Sequence, residues 1–370
     1  MKYTALNPFL TLPLLLAGKY TLEGGRAAAS HATAWKHLKT LVVLGLLEKV
    51  SGWLDSAVSN NFKSDAYVWS QEVVVVTGGS DGIGKIVVQL LAEKGVKVAV
   101  LDVQELTYEG NFVPSPLPIP SPPNHSLYTN TPVAPSNVHF FPCDLSSPSS
   151  ITTASSQIRT SLGSPTILIN NAGVARGKTI LDTTERDLNL TFRVNTFAHY
   201  HLAREFLPDM VSRNHGMIVT VASMAGYVCA PSLVDYAASK AAAIAFHEGL
   251  AAELVTHYKA DKVRTVLMCQ GYTRTKLFEG FGGGVLFPET VAEEIVKAVF
   301  AGRSKHLILP ESAWGIAPKL RGLPVWMQYG LRARLDGLMK GWRGRQVVQP
   351  SLEEAGEKKI EESTVLVDGE

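Results

Sequence analysis

Four consecutive β-branched residues, Val73 to Val76, run directly into Thr77-Gly78-Gly79-Ser80-Asp81-Gly82-Ile83-Gly84, and apolar residues then recur at helical spacing through Ile86, Val87, Leu90 and Leu91. A run that is apolar at every position reads as a strand buried on both faces, which calls for a parallel sheet covered by helices. The glycines have separate physical tasks. Gly78 permits a tight turn, Gly82 lets the main chain approach a pyrophosphate, and Gly84 allows close packing of helix on strand, with the helix N-terminus facing the phosphates. Thr77, Ser80, Asp81 and Ile83 complete this turn and are candidate contacts to the same ligand. Strand, glycine turn and helix in this order are the context that a dinucleotide-binding fingerprint requires.

A second strand, Val96 to Leu101, ends in Asp102. That is about 20 residues beyond the turn, where a carboxylate accepts hydrogen bonds from the adenosine ribose hydroxyls and repels a 2′-phosphate. Asp81 stands where a basic residue would otherwise meet that phosphate. These two acids favour NAD over NADP, with NADP retained as the alternative.

Further along, Ser223-Met224-Ala225-Gly226 is followed by Tyr236-Ala237-Ala238-Ser239-Lys240. Tyr and Lys four residues apart on a helix project from one face, so the ammonium of Lys240 is expected close to the phenol of Tyr236. A free phenol titrates near ~10, and a neighbouring cation is expected to lower that value and to make Tyr236 a usable acid and base.

At this point the chain resembles the short-chain dehydrogenase/reductase family, over roughly residues 70 to 310. Beyond the glycine turn it carries Cys143-Asp144-Leu145 after a third strand, Asn170-Asn171-Ala172-Gly173 after the strand Ile167 to Ile169, and Asn195 within Arg193-Val194-Asn195-Thr196. The resemblance implies that Asp144 contacts the adenine amine and that Asn171, Ala172 and Gly173 steady the central sheet beside the cofactor. It also implies that Asn195 holds a water in a proton relay behind Lys240, that Ser223 polarises the substrate oxygen, and that Tyr236 is the acid/base. Lys240 would bind the nicotinamide ribose and tune Tyr236. The implied reaction passes the alcohol proton to Tyr236 and a hydride to nicotinamide C4.

The chain departs from the family pattern after the sixth strand, where Met268-Cys269-Gln270-Gly271-Tyr272-Thr273-Arg274-Thr275 lacks the usual proline before Gly271. Losing that proline frees φ and restores a backbone donor, which changes the constraint on the loop beside the nicotinamide. Gly271 and Thr275 still match in spacing, Thr275 as the carboxamide-binding threonine. The alternative reading is a membrane-bound scaffold that keeps the cofactor fold with little turnover.

The expected architecture is α/β, a Rossmann doubly wound parallel sheet with helices on both faces, plus N- and C-terminal helical extensions. Residues 1–69 form the first extension, 70–310 the catalytic domain, 311–350 a basic extension and 351–370 an acidic, disordered tail. Residues 107–137 hold eight prolines in 31 residues and read as an extended surface insertion. Three cysteines, Cys143, Cys229 and Cys269, have no close metal-ligand spacing, so no metal is expected and reduced thiols in a cytosol-facing protein are. A net charge of +2 with no basic and aromatic stripe of the nucleic-acid-binding kind argues against nucleic acid.

The flanks bear on location. Residues 5–17 are apolar but interrupted by Pro8 and Pro13, and fall short of the ~20 residues a spanning helix needs. Lys2 before this stretch admits a signal-peptide reading, against which nicotinamide chemistry and unpaired cysteines argue. Leu38 to Val58 reads as an amphipathic helix that lies in a membrane interface or covers the catalytic domain. Residues 313–346 carry seven Lys or Arg against one acid, Asp336, with Trp314, Trp326, Tyr329 and Trp342 interleaved. Aromatic anchors with basic residues suit an anionic membrane surface; the other reading is a helix packed on the core with solvated charges. Within the family these flanks resemble the membrane-associated branch of retinol and 17β-hydroxysteroid dehydrogenases at the endoplasmic reticulum and lipid droplets. That implies a lipophilic alcohol or ketone, a catalytic domain facing the cytosol, and a homodimer through the helices bearing Asn195 and Tyr236. The glycine-rich segment from Phe278 to Phe287 is expected to close over the substrate.

Overall fold

The computed structural model describes residues 7–106 and 137–344, and the backbone of 346–347 and 364–365. The Pro-rich segment therefore lies almost wholly outside the described residues. The chain divides into two compact units, Met1–Lys63 and Ser64–Glu370.

The first unit consists of helices α1 (Pro8–Tyr20), α2 (Leu22–Ser30) and α3 (Ala32–Ser59). Asn7 and Thr21 cap the first two by accepting from Phe9 N and Gly24 N. Gly18 leaves room on α1 for the Trp35 ring of α3. The amphipathic stretch foreseen at Leu38 to Val58 lies within α3, whose Val43, Leu47, Val50, Trp53, Leu54 and Val58 are exposed. No described helix is long and apolar enough to cross a membrane.

The second unit is a doubly wound sheet. Its elements in order are β1 (Val73–Thr77), α4 (Gly82–Glu93), β2 (Lys97–Asp102), β3 (Val138–Pro142), α5 (Pro148–Leu162), β4 (Ile167–Asn170), α6 (Glu185–Phe192), α7 (Ala198–Arg213), β5 (Met217–Val221), α8 (Val234–Thr256), β6 (Arg264–Gln270), α9 (Pro288–Phe300), β7 (Lys305–Leu309) and α10 (Val325–Ala333). The seven strands are parallel in the order β3-β2-β1-β4-β5-β6-β7, as the expected Rossmann fold requires. Side chains alternate faces along a strand, so Val74 and Val76 enter the core beneath α4 and α9 while Val75 enters the core beneath α5, α7 and α8. Both faces being covered explains why β1 tolerates no polar residue before Thr77.

Sequence order reverses between β1 and β4, and the crevice at this switch point opens at the C-terminal strand ends. The glycine turn, Asp102, Asn171 and Ser223 all fall at those ends. Local sequence sets the helix starts: Asp81 caps α4, Ser147 caps α5 with Pro148 in its first turn, and Thr184 with Asp187 forms a capping box on α6. Between α6 and α7 the helix widens into a π turn, Arg193–Phe197, that carries Asn195.

The segment after β7 folds back on the catalytic unit. Ala317, Leu320 and Met339 are buried, whereas Val325, Trp326 and Tyr329 on α10 are exposed. Packing and surface presentation, read from sequence as alternatives, thus coexist on different faces of this extension. Gln346–Val347 (β8) pairs antiparallel with Thr364–Val365 (β9), and the rest of the acidic tail lies outside the described residues.

Candidate active site

At the turn after β1, Gly78 has φ +65° and a Cβ there would press 2.8 Å from Ala172 Cα. A Cβ on Gly84 would run into the Gly78 carbonyl and the Asn171 amide, so only glycine lets α4 start this close to β1. Thr77 and Asn171 lace the turn to the end of β4. Thr77 Oγ1 accepts from Asn171 N at 2.9 Å and Ala172 N at 3.0 Å, and Asn171 Nδ2 donates to the Thr77 and Gly78 carbonyls at 3.0 and 3.1 Å. These residues hold the glycine turn in shape rather than reach outward. Ile83 and Gly82 line the cavity, with Gly82 facing the Thr275 methyl.

Asp102 ends β2 with one carboxylate oxygen accepting from Ser80 N and the other from Gln104 N, both at 3.0 Å. Burial pushes its carboxyl up, and these hydrogen bonds draw it back. Ser80 is itself held by a bond from its hydroxyl to the Gln104 carbonyl. Asp81 accepts from Gly82 N at 2.8 Å and pairs with Lys276 at 3.4 Å across the crevice, a link between the glycine turn and the segment after β6 that sequence spacing did not suggest. Asp144 Oδ1 accepts from the backbone and hydroxyl of Ser146, whereas Oδ2 is buried with no partner among the described residues. An orphaned acceptor at this depth fits the amine that the family resemblance places there.

On α8, Tyr236 and Lys240 are both buried, as is Ser223 after β5. Lys240 Nζ lies 5.8 Å from the Tyr236 ring centre and donates to the Val221 carbonyl at 2.9 Å. The pair therefore shares a helix face as the spacing requires, but the expected fall in the phenol pKa is reversed by the protein's own groups. Burial pushes Tyr236 up to about 12, with a hydrogen bond from Ser223 opposing it, and burial brings Lys240 down to about 8. Desolvation dominates at both groups, because each is removed from water and burial disfavours its charged form. Ser223 Oγ accepts from Ala225 N at 3.1 Å and reaches the Gln270 carbonyl at 3.4 Å.

Asn195 serves the scaffold behind this pair. Its Oδ1 accepts from Val174 N at 2.8 Å, and its Nδ2 donates to the Val174 carbonyl at 2.9 Å and to Ser239 Oγ at 3.0 Å. Both amide hydrogens are used, which leaves one Oδ1 lone pair on the side of Gly173 and Lys240. A Cβ on Gly173 would stand 3.4 Å from Lys240 Nζ and 3.5 Å from Asn195 Oδ1, so glycine keeps the space between them open.

Gly271 donates to the Leu309 carbonyl at 2.7 Å, which fixes the strand end despite the missing proline. Gln270 turns its side chain into the cavity wall, with Oε1 buried and unpartnered among the described residues. Thr275 Oγ1 sits 3.5 Å from the Thr273 carbonyl.

Gly78, Asp81, Asp102, Asn171, Gly173, Ser223, Tyr236, Lys240, Gln270 and Thr275 border one cavity of about 970 Å³, whereas Thr77, Ser80, Gly84, Asp144 and Asn195 stand behind its lining. Its charged lining residues are Asp81, Asp102, Lys240 and Lys276. Near Ser223 and Tyr236 the wall is largely apolar, including Leu233, Leu277, Phe278 and Phe281, with Tyr272, Thr273 and Ser312 also on the lining. Phe278 meets the Tyr236 ring edge-on at 5.4 Å.

The sequence reading missed the roof of this cavity. Leu331, Leu335 and Leu338 from the C-terminal extension line it, and Trp342 fastens the extension to the loop after β6 by donating Nε1 to the Leu277 carbonyl at 3.0 Å. Gly282 N to Leu338 O and Arg343 N to Glu279 O add two backbone bonds, at 2.9 and 2.8 Å. The signal was present as apolar residues at 331, 335, 338, 339 and 342, a helical stripe hidden among basic residues. Among the described residues no group of three or more His, Cys, Asp or Glu is placed to hold a metal.

The described residues fit a dinucleotide: a glycine turn at a helix N-terminus, a strand-end carboxylate for a ribose, and an unpaired buried acceptor in Asp144. Comparison with known proteins agrees. The family model described as short chain dehydrogenase matches residues 72–110 and 123–282. The dehydrogenase RED2 of Cochliobolus heterostrophus is 43% identical over 62% of this chain and 78% of its own length. Estradiol 17-beta-dehydrogenase 11 of Pongo abelii is 30% identical over 68% of this chain and 79% of its own. Human epidermal retinol dehydrogenase 2 is 28% identical, covering 72% and 85%. Among solved structures, a short-chain dehydrogenase/reductase of Burkholderia phymatum in complex with NAD superposes with TM-score 0.58 at 22% identity, covering 71% of this chain and 97% of that one. A short chain dehydrogenase of Burkholderia cenocepacia in complex with NADP gives TM-score 0.55 at 25% identity, covering 72% and 98%. The chain belongs to the short-chain dehydrogenase family, within its branch of retinol and estradiol dehydrogenases, and is an oxidoreductase.

Proposed function

We propose that this protein interconverts a lipophilic primary or secondary alcohol, of the sterol, retinoid or long-chain lipid class, and its carbonyl with NAD, using Tyr236 as the acid/base. The observation that carries this reading is the meeting of Ser223, Tyr236 and Lys240 at the floor of a cavity whose substrate half is apolar. The likeness to retinol and estradiol dehydrogenases supports the same substrate class.

Bound NAD supplies the hydride acceptor and, when oxidised, a positive charge. The chain's own residues manage the proton. With its pKa near 12, Tyr236 holds its proton across the neutral range and is set to donate it to a carbonyl oxygen, while Ser223 offers a second hydrogen bond to that oxygen. In the oxidative direction Tyr236 must first give up its own proton; the phenolate would then accept the alcohol O–H proton as the carbon-bound hydrogen leaves with both electrons, as hydride, to the acceptor that bound NAD would supply. That direction needs cationic charge beside the phenol, part of which Lys240 provides. Preorganised donation by Ser223 in so dry a site contributes on the order of 3 kcal/mol. Asp102 and Asp81, with no unpaired base among the lining residues beside them, support NAD over NADP.

The exposed apolar residues of α3 support attachment to a membrane surface, at the endoplasmic reticulum or a lipid droplet with the catalytic unit facing the cytosol. Exposed Phe197 and Tyr200 at the start of α7 support homodimerisation through that face. The deciding experiment follows NADH and NADPH fluorescence with purified protein and a panel of sterols, retinoids and long-chain alcohols. Tyr236→Phe should still bind NADH but turn over at least about a thousandfold more slowly. Parental turnover by that variant, or no substrate in the panel, refutes the assignment.

A further inference from the structure

The C-terminal extension has two apolar faces with different destinations. Leu331, Leu335 and Leu338 turn inward and roof the substrate half of the cavity. Val325, Trp326 and Tyr329, on α10 together with Leu331 but not with Leu335 and Leu338, are 78%, 75% and 75% exposed, and Ile316 and Trp314 before them are exposed as well. A cluster of large apolar side chains this exposed marks a surface that meets another apolar phase. Over residues 313–344 the charges are six Lys or Arg against one acid, Asp336, which is itself paired with Lys340. Lys319, Arg321, Arg334, Lys340 and Arg343 are exposed around this patch.

Aromatic side chains ringed by cations match the interface of an anionic bilayer, where rings sit at headgroup depth and Lys or Arg meet lipid phosphates. We infer that α10 and the turn before it form a lipid-docking surface, separate from the helices of the first unit, and that substrate passes between bilayer and cavity along this extension. The inference rests on the lipophilic-substrate reading for its second half only. The inward face of the extension, from Leu331 to Leu338, is then one wall of the passage, so a substrate dissolved in acyl chains reaches Tyr236 without crossing water.

The test uses the full chain and vesicles of phosphatidylcholine with phosphatidylserine whose acyl chains are brominated. Trp326 in the interface is quenched by the bromines, so Trp326→Phe should lose a clear share of the parental quenching. The double variant Val325→Asp, Tyr329→Asp should turn over a short, water-soluble alcohol within about twofold of the parent, since surface changes of this kind barely perturb the fold. With a retinoid dissolved in the vesicles its rate should fall by roughly tenfold or more, as lipid affinity follows buried apolar area. Equal quenching in parent and Trp326→Phe overturns the inference, as does vesicle turnover unaffected by the double variant. Conversion of a dimer into a monomer by the double variant, seen by light scattering, also overturns it, because the face then binds a second copy. If no alcohol is oxidised at all, the functional assignment fails while the quenching still decides the docking surface.

Discussion

Lys240 is a buried cation that the fold would be more stable without. It is 2% exposed, and the described acceptor for its ammonium is the Val221 carbonyl. Desolvation lowers its pKa from 10.5 to about 8, which corresponds to about 3 kcal/mol of unfavourable burial at pH 7. Because the folded value lies below the unfolded one, the unfolded chain holds a proton that the folded chain has shed between pH 8 and 10.5. Stability from this group therefore rises with pH through that window, and the penalty is fully present below pH 8. Lys240→Met keeps the aliphatic stem, removes the charge and gives up the bond to Val221, worth roughly 1.5 kcal/mol. The variant should be more stable than the parent by about 1.5 kcal/mol at pH 7 and less stable by a similar amount at pH 10.5, with the two curves crossing near about pH 9. Parallel denaturant unfolding of both proteins without cofactor, with differences taken at each pH, cancels the other titrating groups. A stability difference that stays constant from pH 7 to 10.5 would refute the desolvation argument. The same variant should lose turnover, the cost in function that accompanies relief of a strained site.

Trp342→Ala removes the bond to Leu277 and the ring lodged against Gly177 and Gly344, so it should unfasten the cavity roof from the substrate loop. Unfolding should be easier by about 2 kcal/mol, less than for a fully buried tryptophan, and KM for an apolar alcohol should rise more than kcat falls. Steady-state kinetics with unchanged KM would count against the roof. Gly84→Ala drives a Cβ into the Gly78 carbonyl, and should destabilise the catalytic unit by roughly 3 kcal/mol or abolish NADH binding, read by fluorescence titration. Parental affinity and stability together would mean that the turn is looser than its packing indicates.

Much of the fold was legible in the order of residues because the relevant physics is local. An apolar run into spaced glycines admits few conformations, and Asp81, Ser147 and Thr184 at helix starts satisfy nearby backbone donors whatever lies farther away. The spacing of Tyr236 and Lys240 placed them on one face of α8 for the same reason. What failed was the inference from proximity to pKa. Proximity is a matter of helical geometry, whereas the balance between desolvation and attraction depends on how deeply α8 is packed, which no window of sequence contains.

The C-terminal extension shows the same division. Its charges and aromatics were evident in the chain, and its apolar stripe was there to be read. That the stripe lines the cavity depends on contacts such as that between Trp342 and Leu277, 65 positions apart. Sequence by itself thus determined the sheet, the glycine turn and the shared helix face of Tyr236 and Lys240, since each depends on backbone conformation and short-range periodicity. Only the tertiary structure decided the electrostatic state of Tyr236 and Lys240 and the composition of the cavity roof, because burial and long-range contacts are properties of the packed chain.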